Sequence, residues 1–213
     1  MLTLLSLFDY TGNWARPYAD AGWSVFQIDI KLGIDILDIN AEWMYENIFD
    51  NAPNGTVDGI LAAPPCTDFT RSGAQYWPEK DRNGSTEKSL ELVYQTLRII
   101  DLCQPFFWAL EQPVGRLPRL VPEIGKPWYF QPYWYGDPYS KKTAIFGEFN
   151  KPPKTNVVKP IRSCSQGSWI MKLGGKSAKT KELRSATPPG FAKAFYDVNH
   201  SFIYKQSELE FYE

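Results

Sequence analysis

Four short, largely apolar runs govern what this chain can fold into: residues 3–8, 24–28, 57–63 and 106–110. Each stops at a polar or turn-forming group. These are Asp9-Tyr10-Thr11-Gly12-Asn13, Asp29, Pro64-Pro65-Cys66 and Glu111-Gln112-Pro113. Apolar runs of this length with little alternation suit strands buried on both faces of a parallel sheet. Helical stretches are expected between them, over residues 14–21, 41–49 and from Ser85 or Thr86 onward. In the last, Leu90, Val93, Leu97 and Ile100 recur at the spacing of one helix face. Strand, turn, helix and strand within the first thirty residues is the length of a βαβ unit. The expected fold class is therefore α/β, with a mostly parallel sheet and helices on both faces. In such sheets the site lies beyond the carboxyl ends of the strands, where the polar groups named above fall.

The remaining elements are less regular. Residues 71–84 read as a polar, mobile loop. Residues 128–133 and 143–149 suit an antiparallel pair around Tyr135-Gly136-Asp137-Pro138. Thr187-Pro188 suits the start of a helix reaching about Val198. Residues 150–183 are rich in Pro, Gly and Lys, with little periodicity. At 213 residues one domain is expected, its parts being a core over 1–149, a reduced basic segment over 150–183 and a closing segment over 184–213.

Net charge is -1, but its distribution is uneven. Between Lys151 and Arg184 nine Lys or Arg residues face a single acid, Glu182, while the rest of the chain is acidic. This stretch is set up to meet an anion, or is simply a solvated lysine-rich loop. Three cysteines without a CxxC pair argue against a disulfide framework and for a cytoplasmic setting. The apolar start lacks a charged leader and runs into Asp9, so neither a signal peptide nor a membrane span is expected. The single histidine, His200, disfavours chemistries built on a histidine dyad, triad or metal cluster.

Carboxylates, a thiol or a cofactor must then do the work. Cys66, at the end of a buried run and followed by a polar loop, is placed as a nucleophile; the plainer alternative is an inert core thiol. Glu111 at the next run's end can act as an acid, or can be salt-bridged or capping. The 9–13 turn with Asp29 can hold a nucleoside ribose, or be an ordinary βα turn. With Gly12 as its only glycine, that turn suits a nucleoside without phosphates better than a pyrophosphate. Cys103 and Cys164 lack such settings.

Taken in order, these segments resemble the cytosine-C5 DNA methyltransferases, and in particular compact, phage-type members. Pro65-Cys66-x-x-Phe69-Thr70-x-Ser72-Gly73 resembles the family's catalytic loop. Residues 8–13 resemble its first cofactor motif, and Glu111-Gln112-Pro113 its acid motif. Residues 135–143 resemble a later basic motif, and residues 184–199 the closing segment. The resemblance runs from residue 4 to about 199. It implies a Rossmann-like S-adenosylmethionine-dependent methyltransferase fold and methyl transfer to C5 of cytosine through a covalent Cys66–C6 intermediate, with Glu111 as acid partner. It further implies S-adenosyl-L-methionine contacts from Phe8, Gly12, Asn13, Asp29, Ile30, Asp38 and Pro65. Ser72, Arg116, Lys141 and Lys142 are the implied substrate contacts. DNA is the expected partner and a monomer the expected state, in the host cytoplasm if the chain is phage-encoded. RNA or a free cytosine nucleotide as substrate, and a catalytically silent nucleic-acid-binding relative, are the alternatives. Gln112 stands where the family has Asn, Thr70 where it has Ser. Only residues 150–183 occupy the place of a target-recognition domain, which implies short or relaxed sequence specificity.

Overall fold

The chain, described here from a computed structural model over residues 1–162, 168–171 and 177–200, alternates strands with helices from its start. In order these are β1 (Thr3–Leu7), α1 (Arg16–Asp20), β2 (Ser24–Ile28), α2 (Ala41–Asn47), β3 (Gly59–Ala62), α3 (Trp77–Arg82) and α4 (Ser85–Cys103). There follow β4 (Phe107–Pro113), α5 (Leu117–Leu120), β5 (Trp128–Phe130), β6 (Thr143–Glu148), α6 (Ala178–Ser185) and α7 (Pro189–Asn199). The strands form one sheet in the order β2-β1-β3-β4-β6-β5. β1 to β4 run parallel, β6 pairs antiparallel with both β4 and β5, and so β6 alone opposes the others.

Successive strand residues point to opposite faces, and both faces here are apolar. Leu5, Leu7, Ile60, Ala62, Leu110, Ala144 and Phe146 join one core with Met44 of α2 and Val93, Ile99 and Ile100 of α4. Leu4, Leu61, Phe107, Ala109 and Ile145 join the other with Trp14, Tyr18 of α1, and Phe191 and Phe195 of α7. Helices thus cover both faces, which is why the strands read as unbroken apolar runs. The fold is the expected Rossmann-like α/β class.

Local chemistry fixes the start of α2. Asn40 caps α2 by accepting from the Trp43 N–H at 2.8 Å. On α4, Val93 and Ile100 are buried, with Leu90 and Leu97 packed beside them. Gly59 lies against Phe107, whose ring atoms would stand 2.3 Å from a Cβ at that position. Four expectations are corrected. α1 is shorter than expected, because Trp14 and Ala15 are buried in the turn before it. β4 runs on to Pro113, since β6 pairs with it beyond the end of β3. Residues 71–84 form a 3-10 turn (Arg71–Tyr76) and α3 rather than a loose loop. The final helix starts at Pro189, with Pro188 in the capping position and no side-chain cap.

β1 connects outward to β2 on one side, and the chain then returns to β3 on the other side of β1. That reversal falls between β1 and β3, whose carboxyl ends mark the usual ligand position in open α/β sheets. No helix among the described residues is long and apolar enough to cross a membrane. Cys164, and residues 163–167 and 172–176 of the basic segment, lie outside the described residues.

Candidate active site

Beyond Ala62 the chain leaves the sheet through Pro64 and Pro65 to Cys66, which is half-buried. A tight turn follows, with the Phe69 and Thr70 N–H groups donating to the Cys66 carbonyl at 3.0 and 3.1 Å. The fully buried Phe69 ring anchors this turn in the core. Three ties then lace the loop to the end of β4. The Arg116 N–H donates to the Phe69 carbonyl at 2.9 Å, and the Arg71 N–H to the Val114 carbonyl at 2.9 Å. Gln112, 0% exposed, donates from Nε2 to the Pro64 carbonyl at 2.6 Å. The backbones meet so closely that a Cβ on Gly115 would stand 1.9 Å from the Phe69 carbonyl oxygen, so this position requires glycine.

Glu111 is the first residue of β4 past its pairing with β3. Its Oε1 lies 3.6 Å from Lys141 Nζ, and both side chains are largely buried. Lys141 precedes β6, which delivers it to this end of the sheet because β6 runs opposite to β4. Burial pushes the Cys66 thiol above its ordinary pKa, and the Glu111 carboxylate pushes it further. Lys141, a hydrogen bond within residue 66 and Arg184 pull it down. Tyr139 is raised by burial, then by Asp137 and Glu111. Cys66, Lys141, Tyr139 and Glu111 therefore form one electrostatic group, with Arg184 acting on its thiol. Tyr139 has no signal of its own in the sequence. It lies two residues before Lys141 in the chain.

Other expected residues have different surroundings. Arg116 is 6% exposed, and its guanidinium is committed within the protein. Nε donates to the Asp68 carbonyl at 3.0 Å, Nη1 and Nη2 to the Asp81 carboxylate at 2.8 Å each, and Nη2 also to Thr86 Oγ1 at 2.8 Å. The guanidinium also lies 4.8 Å from the Trp77 ring centre. Lys80 pairs with the Asp68 carboxylate at 2.8 Å, and Ser89 donates to the same group. This cluster is what orders residues 71–84. Ser72 is exposed on that segment, 3.1 Å from Thr70 Oγ1. Lys142 turns to the sheet edge, its Nζ 4.4 Å above the Tyr129 ring.

At the ends of β1 and β2 a second set of groups gathers. Phe8 has a φ of 58°, which is strained for a residue with a side chain. Asp9 is held by the Ser6 and Thr11 hydroxyls at 2.9 and 3.2 Å, and its carbonyl accepts from Gln27 Nε2 at 2.7 Å. Gly12, at φ 67°, starts the path into α1. The Asn13 N–H faces Thr11 Oγ1 at 3.4 Å. Asp29 Oδ1 accepts the Lys31 N–H at 2.8 Å, and Ile30 beside it is exposed. Pro65 is exposed on the neighbouring β3 exit, while Asp38 is exposed on the separate turn Ile36–Asp38. A half-buried acid beside an exposed apolar side chain, with one glycine in the turn, fits a nucleoside group that carries no phosphate. Among the described residues no group of three or more His, Cys, Asp or Glu is placed to hold a metal ion.

No protein-family model and no curated protein matches the chain. Two solved structures share part of its architecture. One, from E. coli, is described as a putative DNA modification methyltransferase encoded within prophage Cp, with TM-score 0.48 and 21% identity over 70% of this chain. The other is the Entamoeba histolytica methyltransferase EhMeth, with TM-score 0.48 and 13% identity over 84% of this chain. The chain spans 47% and 61% of their respective lengths. At these values neither likeness carries the functional reading, which rests on the site.

Proposed function

We propose that this chain methylates C5 of cytosine in DNA, with Cys66 as nucleophile and Glu111 as acid. The observation that supports this most directly is the placing of a half-buried thiol and a carboxylate from the adjacent strand at the same end of the sheet, within electrostatic reach of one another. C5 of cytosine is a poor nucleophile. Addition of the Cys66 thiolate at C6, with a proton passing from Glu111 to N3, turns the ring into an enamine able to attack through C5. When bound, S-adenosylmethionine would supply the electrophilic methyl group, its S–CH3 bond breaking as the C5–CH3 bond forms and S-adenosylhomocysteine leaving. Loss of the C5 proton to a base then expels Cys66, and return of the N3 proton to Glu111 restores the site.

The electrostatics link these two roles. A Glu111 carboxylate raises the Cys66 thiol. With that charge neutralised, one cause that raises the thiol is removed. Lys141 lies beside Glu111 and lowers the thiol, which adds to the thiolate fraction. Asp29 would hold the ribose hydroxyls, with Phe8, Gly12, Asn13, Ile30, Asp38 and Pro65 around the rest of the cofactor. Lys142 and Ser72 are exposed to phosphates or bases at the rim. Arg116 would act by holding the Cys66 loop. DNA from cells expressing the chain should show protected cytosines on bisulfite sequencing, and a 5-fluorocytosine oligonucleotide should form a covalent adduct with wild type but not with Cys66→Ala. Full conversion of every cytosine, with no adduct on duplex DNA, RNA or nucleotide, would sink the reading.

A further inference from the structure

We propose that Trp169 is the stacking residue at the mouth of this site, taking a nucleobase face when the target base leaves the helix. The proposal rests on the reading of the site as one that acts on a base within DNA. Trp169 begins the short turn Trp169–Met171 and is 40% exposed, while its neighbours Ser168 and Ile170 are 2% and 5% exposed. The turn is therefore anchored, and its indole is presented outward. The anchor is specific: the Ser140 N–H donates to Ser168 Oγ at 2.7 Å. Trp169 meets Tyr139 edge to face, with ring centres 5.5 Å apart at 63°. Tyr139 lies two residues before Lys141, which pairs with Glu111 at 3.6 Å.

Glu111 pairs with Lys141 and bears electrostatically on Tyr139, whose ring meets the exposed Trp169. Within the basic segment, the described residues 168–171 are tied to residues 139 and 140 by the Tyr139–Trp169 ring contact and the Ser140–Ser168 hydrogen bond. A base reaching Glu111 from a duplex loses its stacking partners, and an exposed aromatic face at the entrance can replace one of them. Tyr139 braces the indole from the side of the acid. A role in shielding Glu111 alone would affect paired and unpaired substrates alike, which is the basis of the test.

The full chain, Trp169→Ala and Trp169→Phe are compared on one oligonucleotide sequence as a perfect duplex, as a duplex with the target cytosine mismatched, and as a single strand. For Trp169→Ala the duplex-to-mismatch ratio of kcat/KM should fall about tenfold or more, with Trp169→Phe in between. An unchanged ratio, including an equal fall on all substrates, overturns the proposal. A wild-type chain that methylates none of them sinks the reading of the site instead. Stacking is then judged by binding a single strand carrying 2-aminopurine. Quenching of its fluorescence by wild type should be lost in Trp169→Ala, and unchanged quenching overturns the claim whatever the catalytic result.

Discussion

Replacing Arg116 with alanine is the sharpest test of how the Cys66 loop is held. The side chain is 6% exposed and makes hydrogen bonds to the Asp68 carbonyl, the Asp81 carboxylate and Thr86 Oγ1. The Asp81 carboxylate is about half exposed, so its two bonds are left out of the sum. The bonds to Asp68 and Thr86 come from a buried charged donor, each worth about 1.5 kcal/mol at the low end for such bonds. Their joint loss therefore costs about 3 kcal/mol. For a chain of this size that lowers the melting temperature by about 6–12 °C. Circular dichroism melting measures the global effect. Limited proteolysis of residues 67–86, and the rate of Cys66 alkylation, measure local release of the loop. Arg116→Ala should melt earlier, be cut faster in this segment and alkylate faster as the thiol gains water. Arg116→Lys should recover little, because an ammonium cannot span the same set of acceptors. Melting, cutting and alkylation all at wild-type values would refute the view that this arginine organises the loop.

Four further outcomes follow from the site. Glu111→Gln removes a charge that raises the Cys66 thiol, so thiolate should form at lower pH and iodoacetamide should react faster near neutrality; a slower reaction would mean that the two groups are not neighbours. Cys103, pushed up to about 12 by burial, should stay unmodified under the same conditions, as peptide mapping would show. Gly115→Ala would place a Cβ 1.9 Å from the Phe69 carbonyl oxygen, and should lower stability by about 1–3 kcal/mol in chemical denaturation while displacing the Cys66 loop. Asp81 is held below the ordinary carboxylate range, chiefly by its hydrogen bond from Arg116. Its contribution is present above that range and is lost as pH falls through the depressed folded value. Stability measured across the acid limb should therefore fall less steeply in Arg116→Ala than in wild type.

Much of the core could be read along the sequence because it is periodic or local. Apolar runs in β1, β3 and β4 are continuous because helices cover both faces of the sheet. The face carrying Leu90, Val93, Leu97 and Ile100 follows from helical spacing alone. The clustering of Cys66, Asp29, Glu111 and the 9–13 turn at the carboxyl ends follows from strands that all run one way, since each polar group closes a run. The opposed direction of β6, which carries Lys141 to Glu111, is decided only when the sheet assembles. The destination of Arg116 is likewise invisible in the sequence. A guanidinium is equally suited to phosphate or carboxylate, and its acceptors Asp68, Asp81 and Thr86 lie 30 to 48 residues away. The same cause hid the order in residues 71–84, whose polar composition reads as loop until that arginine is placed among it. Local pattern thus set which segments become the main strands and helices, because those depend on neighbours within a few residues, whereas several of their ends were moved by tertiary pairing and burial. The partners of each charge, and the meeting of Tyr139 with Trp169, came from contacts that form only when distant segments close on one another.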